Sequence, residues 1–261
     1  MQHRFYKYQG TGNDFIIFDN REGNISLNSR QVHHLCDRRF GIGADGLMLL
    51  NRSDEHDFEM KYYNADGNEG SMCGNGGRCM VRFAYKCGLH KNEYRFKAVD
   101  GLHAATIDDN GWVNLQMKDV KDIKVIHGDS ILNTGSPHYV KQVQNLSDMD
   151  VVKIGRDIRY SNGYREEGIN VNFVEQEEKQ IFVRTYERGV EDETLSCGTG
   201  VTASALLAAH NALGFNRVIV ETPGGKLSVE FNKIDEQTFE NIWLCGPAVK
   251  VFEGNIDIKS V

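Results

Sequence analysis

No uninterrupted apolar run in this sequence approaches the roughly 20 residues that a membrane-spanning helix needs. The N-terminus, MQHRFYKYQGTGNDF, also lacks the apolar segment of a secretory signal. A basic excess is missing too. Thirty Lys and Arg against 37 Asp and Glu leave a formal net charge of −7, which argues against a nucleic-acid partner. Six cysteines are too few and too scattered for a disulfide scaffold in 261 residues. None forms a C-x-x-C pair, and the spacing of Cys73, Cys79 and Cys87 fits no usual zinc pattern. These absences leave a cytoplasmic protein whose cysteines are thiols, with no metal, membrane or nucleic acid expected. What remains, with 40% hydrophobic and 26% charged residues, suffices for a sizeable core in roughly two domains.

Most of the cysteines read as small buried hydrophobes, but two stand in matching contexts. Cys73 opens CGNGGRCMVRFAYKCG and Cys197 opens CGTGVTASALLAAHNALG, 124 residues later. Both segments begin C-G-x-G and reach a glycine, Gly88 or Gly214, suited to a helix C-terminus. Three further echoes recur in the same order at an offset of 123: Thr11-Gly12 with Thr134-Gly135, Tyr63-Asn64 with Tyr186-Glu187, and Asp100-Gly101 with Pro223-Gly224. The chain reads as an internal duplication.

The segments FIIFDN, LMLL, FEMKYYN, ILN, HYVKQV, NVNFVE, IFVRTY, RVIVET and LSVEF are short, β-rich and bounded by Gly, Asn or Asp. The C-G-x-G segments predict helices. The second is apolar almost all round, as a helix enclosed by strands should be; the first carries Arg78, Arg82 and Lys86 as one solvated stripe. The expected fold is α+β: two pseudo-symmetric lobes, each a curled, barrel-like mixed β-sheet around a central helix, with the active site in the cleft between them. The change of lobe falls near residue 119, giving an N-terminal lobe 1–119 with Cys73 and a C-terminal lobe 120–245 with Cys197.

A cysteine just before a helix points its sulfur at unpaired backbone N–H groups and the positive end of the helix dipole, which favours thiolate. Glycines at 74, 76, 77, 198 and 200 leave those N–H groups open to an anionic group such as a carboxylate. Two such sulfurs facing one carbon predict inversion of a stereocentre: one removes a proton as thiolate, and the other delivers one as thiol to the opposite face. Such a scheme needs no cofactor.

The segments GTGNDF, RRFGIGADGL, NADGNEGSMCGNGGRC, TGSPH, INVNF and YERGVEDETLSCGTG, in this order along nearly the whole chain, resemble the signature segments of the diaminopimelate epimerase family. The resemblance implies a cofactor-independent interconversion of LL- and meso-diaminopimelate, in the route to lysine and peptidoglycan precursors. It also implies a pseudo-two-fold fold whose final segment, about 246–261, returns to the first lobe; a homodimer is expected. Cys73 and Cys197 match the catalytic pair. Asn13, Asn64 and Asn170 match substrate-holding residues, and Glu187 and Arg188 the acid–base neighbours. Gly74, Asn75, Gly198 and Thr199 match the backbone cradles, and His138 a histidine that assists one sulfur. An Arg188 fork suits a distal carboxylate, while Glu187 and the asparagines can accept from an ammonium. Two positions depart from the pattern: Ser136 stands where many members have Asn, with a shorter reach, and Gly46 stands where some have Gln.

Plainer roles compete at several of these positions. Asn13 and Asn64 sit in good turn sequences, Glu187-Arg188 could be a surface ion pair, and His138 a hydrogen-bonded structural histidine. A proline-racemase relative would differ around the cysteines, phenazine-pathway relatives lack the pair, a thiol redox protein would be expected to carry C-x-x-C, and a binding module gives no reason for two low-pKa thiols.

Overall fold

A computed structural model describes residues 2–70, 73–178 and 180–258. Ser71 and Met72 of the NADGNEGSMCGNGGRC segment, and 259–261 of the segment expected to complete the first lobe, lie outside the described residues. The chain divides into two compact units, residues 1–115 with 247–261, and residues 116–246.

The first unit contains β1 (Gln2–Gly10), β2 (Asn13–Asp19), α1 (Ser29–Cys36), β3 (Gly46–Asn51), β4 (Phe58–Asn64), α2 (Gly74–Lys86), β5 (Glu93–Ala98), β6 (Gly101–Ile107) and β7 (Trp112–Gln116). The second contains β8 (Lys124–Ile126), β9 (Asp129–Asn133), β10 (Pro137–Gln142), α3 (Val151–Arg159), β11 (Asn170–Gln176), β12 (Gln180–Glu187), β13 (Asp192–Thr194), α4 (Gly198–Leu207), β14 (Gly214–Thr222), β15 (Gly225–Lys233) and β16 (Phe239–Pro247). The last strand, β17 (Val249–Asp257), runs antiparallel to β1 and so lies in the first unit.

Strand pairing repeats between the units. In the first, β1–β2 is antiparallel, β2–β3 parallel, β3–β4 antiparallel, β4–β5 parallel and β5–β6 antiparallel. In the second, β9–β10, β10–β11, β11–β12, β12–β14 and β14–β15 follow the same sequence of directions. Each parallel step requires a crossover, and the cysteine helices α2 and α4 lie in equivalent crossovers. α2 packs on β1, β2, β3 and β6, and α4 on β10, β11, β12, β14 and β15. Strands so far apart in a sheet reach one helix only if the sheet curls around it.

Burial on both faces accounts for the unbroken apolar run FIIF. Ile16 and Phe18 of β2 join Leu47, Leu49, Val32 and Leu35 in the core beneath α1, while Phe15 and Met48 lie under Gly76 of α2. α4 is buried from Gly200 to Leu206, matching its apolar composition.

Three readings need correction. Arg78 is not on a solvated stripe: it is fully buried, donating to Gly74 O at 3.3 Å, Thr11 Oγ1 at 3.3 Å and Asn75 Oδ1 at 3.0 Å. The spacing of four was sound for the half-exposed Arg82 and exposed Lys86, but the first turns of a sheet-wrapped helix have no wet face. α4 does not run to Gly214 but stops at Leu207. Beyond it Asn211 takes turn geometry, its backbone N–H donating to Asn216 Oδ1 at 2.8 Å and its amide to Phe215 O at 2.7 Å, a competition with helix that asparagine favours. Gly101 corresponds to Gly225 rather than Gly224. Both open a strand after a two-residue turn, with φ of +126° and +132°.

Candidate active site

In the first unit, Cys73 is the N-cap of α2, with extended backbone at φ −94°, ψ 132°, and its side chain makes no capping bond. The sulfur is thereby left beside the helix start, at 3.5 Å from Asn13 Oδ1. Asn13 opens β2 after a turn whose two residues, Thr11 and Gly12, both have positive φ, the twist that a two-residue hairpin requires. The Asn13 amide is oriented by Asp45, since its Nδ2 donates to Asp45 Oδ2 at 2.7 Å. Its oxygen therefore faces Cys73 and also accepts from Asn75 Nδ2 at 3.4 Å. Asp45 is itself held by Arg38 at 2.7 Å, which forks onto Asp14 at 2.8 and 3.0 Å. The buried Lys7 ammonium lies 2.7 Å from Asp14. Burial pushes the Asp14 carboxyl up, but the hydrogen bonds and charges of Arg38 and Lys7 outweigh it and hold the group below the usual carboxylate range.

Asn64 ends β4, exposed and opposite Gly46 on β3. Gly46 is dictated by packing: a Cβ there would stand 2.5 Å from Tyr62 Cε2 and 2.8 Å from its hydroxyl oxygen. The aromatic ring fills the space a side chain at 46 would occupy.

In the second unit, Cys197 is the N-cap of α4 (φ −106°, ψ 112°) and again makes no side-chain capping bond. Its Sγ lies 3.5 Å from Thr199 Oγ1, and Thr199 Oγ1 lies 3.1 Å from Ser136 Oγ. Ser136 is 3.0 Å from His138 Nε2 and accepts from Asn170 Nδ2 at 3.1 Å. His138 is fully buried, and its pKa falls to about 3 because burial disfavours the cation and the Arg188 charge adds to that. Its other nitrogen, Nδ1, is 3.0 Å from Asn172 Nδ2. Glu187 ends β12 and accepts from Thr194 Oγ1 at 2.9 Å. Arg188 donates its backbone N–H to Asn170 Oδ1 and its Nη1 to Glu167 O, both at 2.9 Å.

Thus Asn13, Cys73 and Asn75 meet in the first unit, and Ser136, His138, Asn170, Cys197 and Thr199 in the second. Gly74 and Gly198 open the two helices beside their cysteines. Among the other cysteines, burial pushes the thiols of Cys36 and Cys79 up to about 12 and that of Cys87 up to about 11, as suits packing roles. Sequence reasoning missed Asp45, Asn172 and Arg78, which orient the named residues. Asp45 lies within the quoted GIGADGL segment and Asn172 within INVNF, so their motifs were in view but not their roles.

The model for diaminopimelate epimerase matches residues 5–123 and 130–251. This chain belongs to the diaminopimelate epimerase family. It is 52% identical over 256 residues to the diaminopimelate epimerase of Flavobacterium psychrophilum, covering 97% of this chain and 100% of the relative. To that of Chlorobaculum tepidum it is 42% identical over 259 residues, covering 95% and 99%. Among solved structures, a PhzF-family phenazine biosynthesis protein from Bacillus anthracis shares the fold with a TM-score of 0.77 at 16% identity, covering 98% of this chain and 99% of that one. A hydroxyproline epimerase from Agrobacterium vitis shares it with a TM-score of 0.68 at 12% identity, covering 98% and 92%. The family membership implied by the motifs therefore holds, and the chain is an isomerase of the epimerase type. Among the described residues no helix is long and apolar enough to cross a membrane.

Proposed function

We propose that this protein interconverts LL- and meso-diaminopimelate with no cofactor, using Cys73 and Cys197 as the two acid–base groups. The observation that carries this reading is the repeated N-cap cysteine: in each unit a cysteine that makes no side-chain capping bond stands at the first turn of a glycine-opened helix. One cysteine, as thiolate, takes the α-proton, and the C–H electron pair moves into the adjacent carboxylate. The other, as thiol, gives its proton to the opposite face of the carbon. The first sulfur ends protonated and the second ionised, so the reverse reaction uses the same groups in exchanged roles.

The N–H groups at Gly74, Asn75, Gly198 and Thr199 stabilise the charge developing on the reacting carboxylate. Arg188 takes the distal carboxylate in a charge-assisted bond, Glu187 and Asn64 its ammonium, and Asn13, Asn170 and Ser136 complete the orientation. A substrate lacking the distal end leaves these groups unpaired, which lowers affinity. His138, neutral in its buried site, orients its neighbours rather than acting as a base.

In this reading the enzyme works in the cytoplasm, in the synthesis of lysine and peptidoglycan precursors. It does so as a homodimer, for which the exposed Val249, Val251 and Phe252 on β17 offer an apolar surface. The test is to supply purified enzyme, without added cofactor, with LL-diaminopimelate or with L-proline and follow the stereoisomers by chiral chromatography. Conversion of the first alone supports the reading. Conversion of proline, or of neither by folded, reduced enzyme, overturns it.

A further inference from the structure

Hydrogen-bond polarity distinguishes the two cysteines. In the second unit a chain of buried and half-buried polar groups takes its orientations from neighbours of known character. Asn172 is fully buried. Its Nδ2 lies 3.2 Å from Tyr139 O and its Oδ1 2.9 Å from Thr185 Oγ1. Turning the amide over would set two oxygens face to face at the Tyr139 carbonyl, so Nδ2 must point to that carbonyl and to His138 Nδ1. His138 Nδ1 is then an acceptor, and the proton of the neutral ring sits on Nε2, from which it is donated to Ser136 Oγ.

Asn170 is fixed in the same manner. Its Oδ1 accepts from the Arg188 backbone N–H, so Nδ2 is left to donate to Pro137 O and Ser136 Oγ, both at 3.1 Å. Ser136 Oγ thus accepts twice, and its single proton is left for Thr199 Oγ1. Thr199 Oγ1 accepts from Ser136 and keeps its own proton, for which Cys197 Sγ at 3.5 Å is the acceptor in this scheme.

The first unit presents the opposite polarity. Asn13 Nδ2 is committed to the Asp45 carboxylate, so Cys73 Sγ meets a carbonyl oxygen. An acceptor there favours S–H and disfavours S⁻, whereas a hydroxyl donor favours S⁻.

We infer that the substrate-free enzyme rests with Cys197 as the thiolate and Cys73 as the thiol, and that Asn172, His138, Ser136 and Thr199 are positioning residues that set this polarity. Charged groups on the surrounding elements act on both units, so the polarity is set by the hydrogen bonds. In the second unit, Glu187 is hydrogen-bonded by Thr194, and Arg188 contributes positive charge at His138. Near Cys73, Asp45 and Arg38 anchor Asn13, and Arg78 bonds to Gly74, Asn75 and Thr11. An asparagine at 136 would have no hydroxyl with which to accept twice and pass one proton on.

The inference rests on the proposed roles of Cys73 and Cys197, but its test needs no substrate, so the two can fail separately. Reduced enzyme is titrated by ultraviolet thiolate absorbance, and the pH midpoints of alkylation at each cysteine are read by peptide mapping. Midpoints, unlike rates, do not depend on access to the sulfur. Thiolate absorbance at neutral pH should disappear in Cys197→Ala and persist in Cys73→Ala. Thr199→Val should raise the Cys197 midpoint by about one to two pH units, the worth of a hydrogen bond to a charged group, and Thr199→Ser should restore it. If Thr199→Val does not fold, Ser136→Ala reads the same midpoint from one link further back and should also raise it. A lower midpoint at Cys73, absorbance lost in Cys73→Ala instead, or unmoved midpoints in folded variants would overturn the assignment.

Discussion

Gly200, the second glycine of the C-G-x-G segment on α4, packs tightly against Asn172 of β11. A Cβ there would stand 2.2 Å from Asn172 Oδ1 and 3.3 Å from His138 Cε1. Asn172 cannot yield freely, because Thr185, Tyr139 and His138 all hold its amide. Gly200→Ala should therefore push the amide away and leave two or three buried polar groups short of a partner, at about 1–3 kcal/mol each. Alanine's better helix propensity returns about 1 kcal/mol. The expected net loss is roughly 1–8 kcal/mol, read as a lower denaturant midpoint at unchanged slope. The decisive comparison is the same substitution in an Asn172→Ala background, where the obstructing oxygen is gone. There Gly200→Ala should be neutral or stabilising by up to about 1 kcal/mol. A loss under about 0.5 kcal/mol in the native background, or an equal loss in both, would refute the packing argument.

Asp45→Asn should release the Asn13 amide and lower kcat/KM for diaminopimelate about tenfold or more, as expected for one charged hydrogen bond, while circular dichroism stays unchanged. Arg78→Ala should cost about 3 kcal/mol or more, since it leaves a large cavity and three buried acceptors short of a donor, against less than about 1 kcal/mol for Arg82→Ala four residues on; denaturation midpoints check both. His138 bears on the pH dependence of stability. The unfolded chain takes up a proton near the ordinary 6.5, whereas the native site resists it down to about 3. This group's contribution is therefore fully present above 6.5 and is lost as pH falls through that window, by up to about 1.4 kcal/mol per pH unit. His138→Gln should flatten that part of a melting-temperature profile.

Much of the fold could be read from local pattern. β4 coincides with FEMKYYN, and the other eight quoted β-rich segments fall on β2, β3, β9, β10, β11, β12, β14 and β15, because short apolar runs between turn residues carry their own signal. Helices α1 and α3 were passed over although each is signed at its start. Asn28 and Gln31 form a reciprocal capping box, and Asp150 caps Lys153. The cysteine pair was legible because the chain states it twice. The groups that orient the pair act across the sheet, through contacts that one-dimensional spacing does not record. Asn170 and Asn172 left a trace, since they alternate with Val171 and Phe173 in a strand buried on both faces, where a polar side chain must find partners. Arg78 left none. Its spacing with Arg82 and Lys86 is that of any solvated stripe, and only the sheet curled around α2 makes it a buried strut.

The most direct test of two-cysteine proton transfer is to incubate the enzyme with LL-diaminopimelate in heavy water, with no cofactor added, and follow deuterium at the α-carbon. The wild type should form meso product carrying solvent deuterium at the inverted centre, and Cys73→Ala and Cys197→Ala should each abolish that inversion. Inversion without solvent deuterium, or undiminished inversion in either variant, would contradict it.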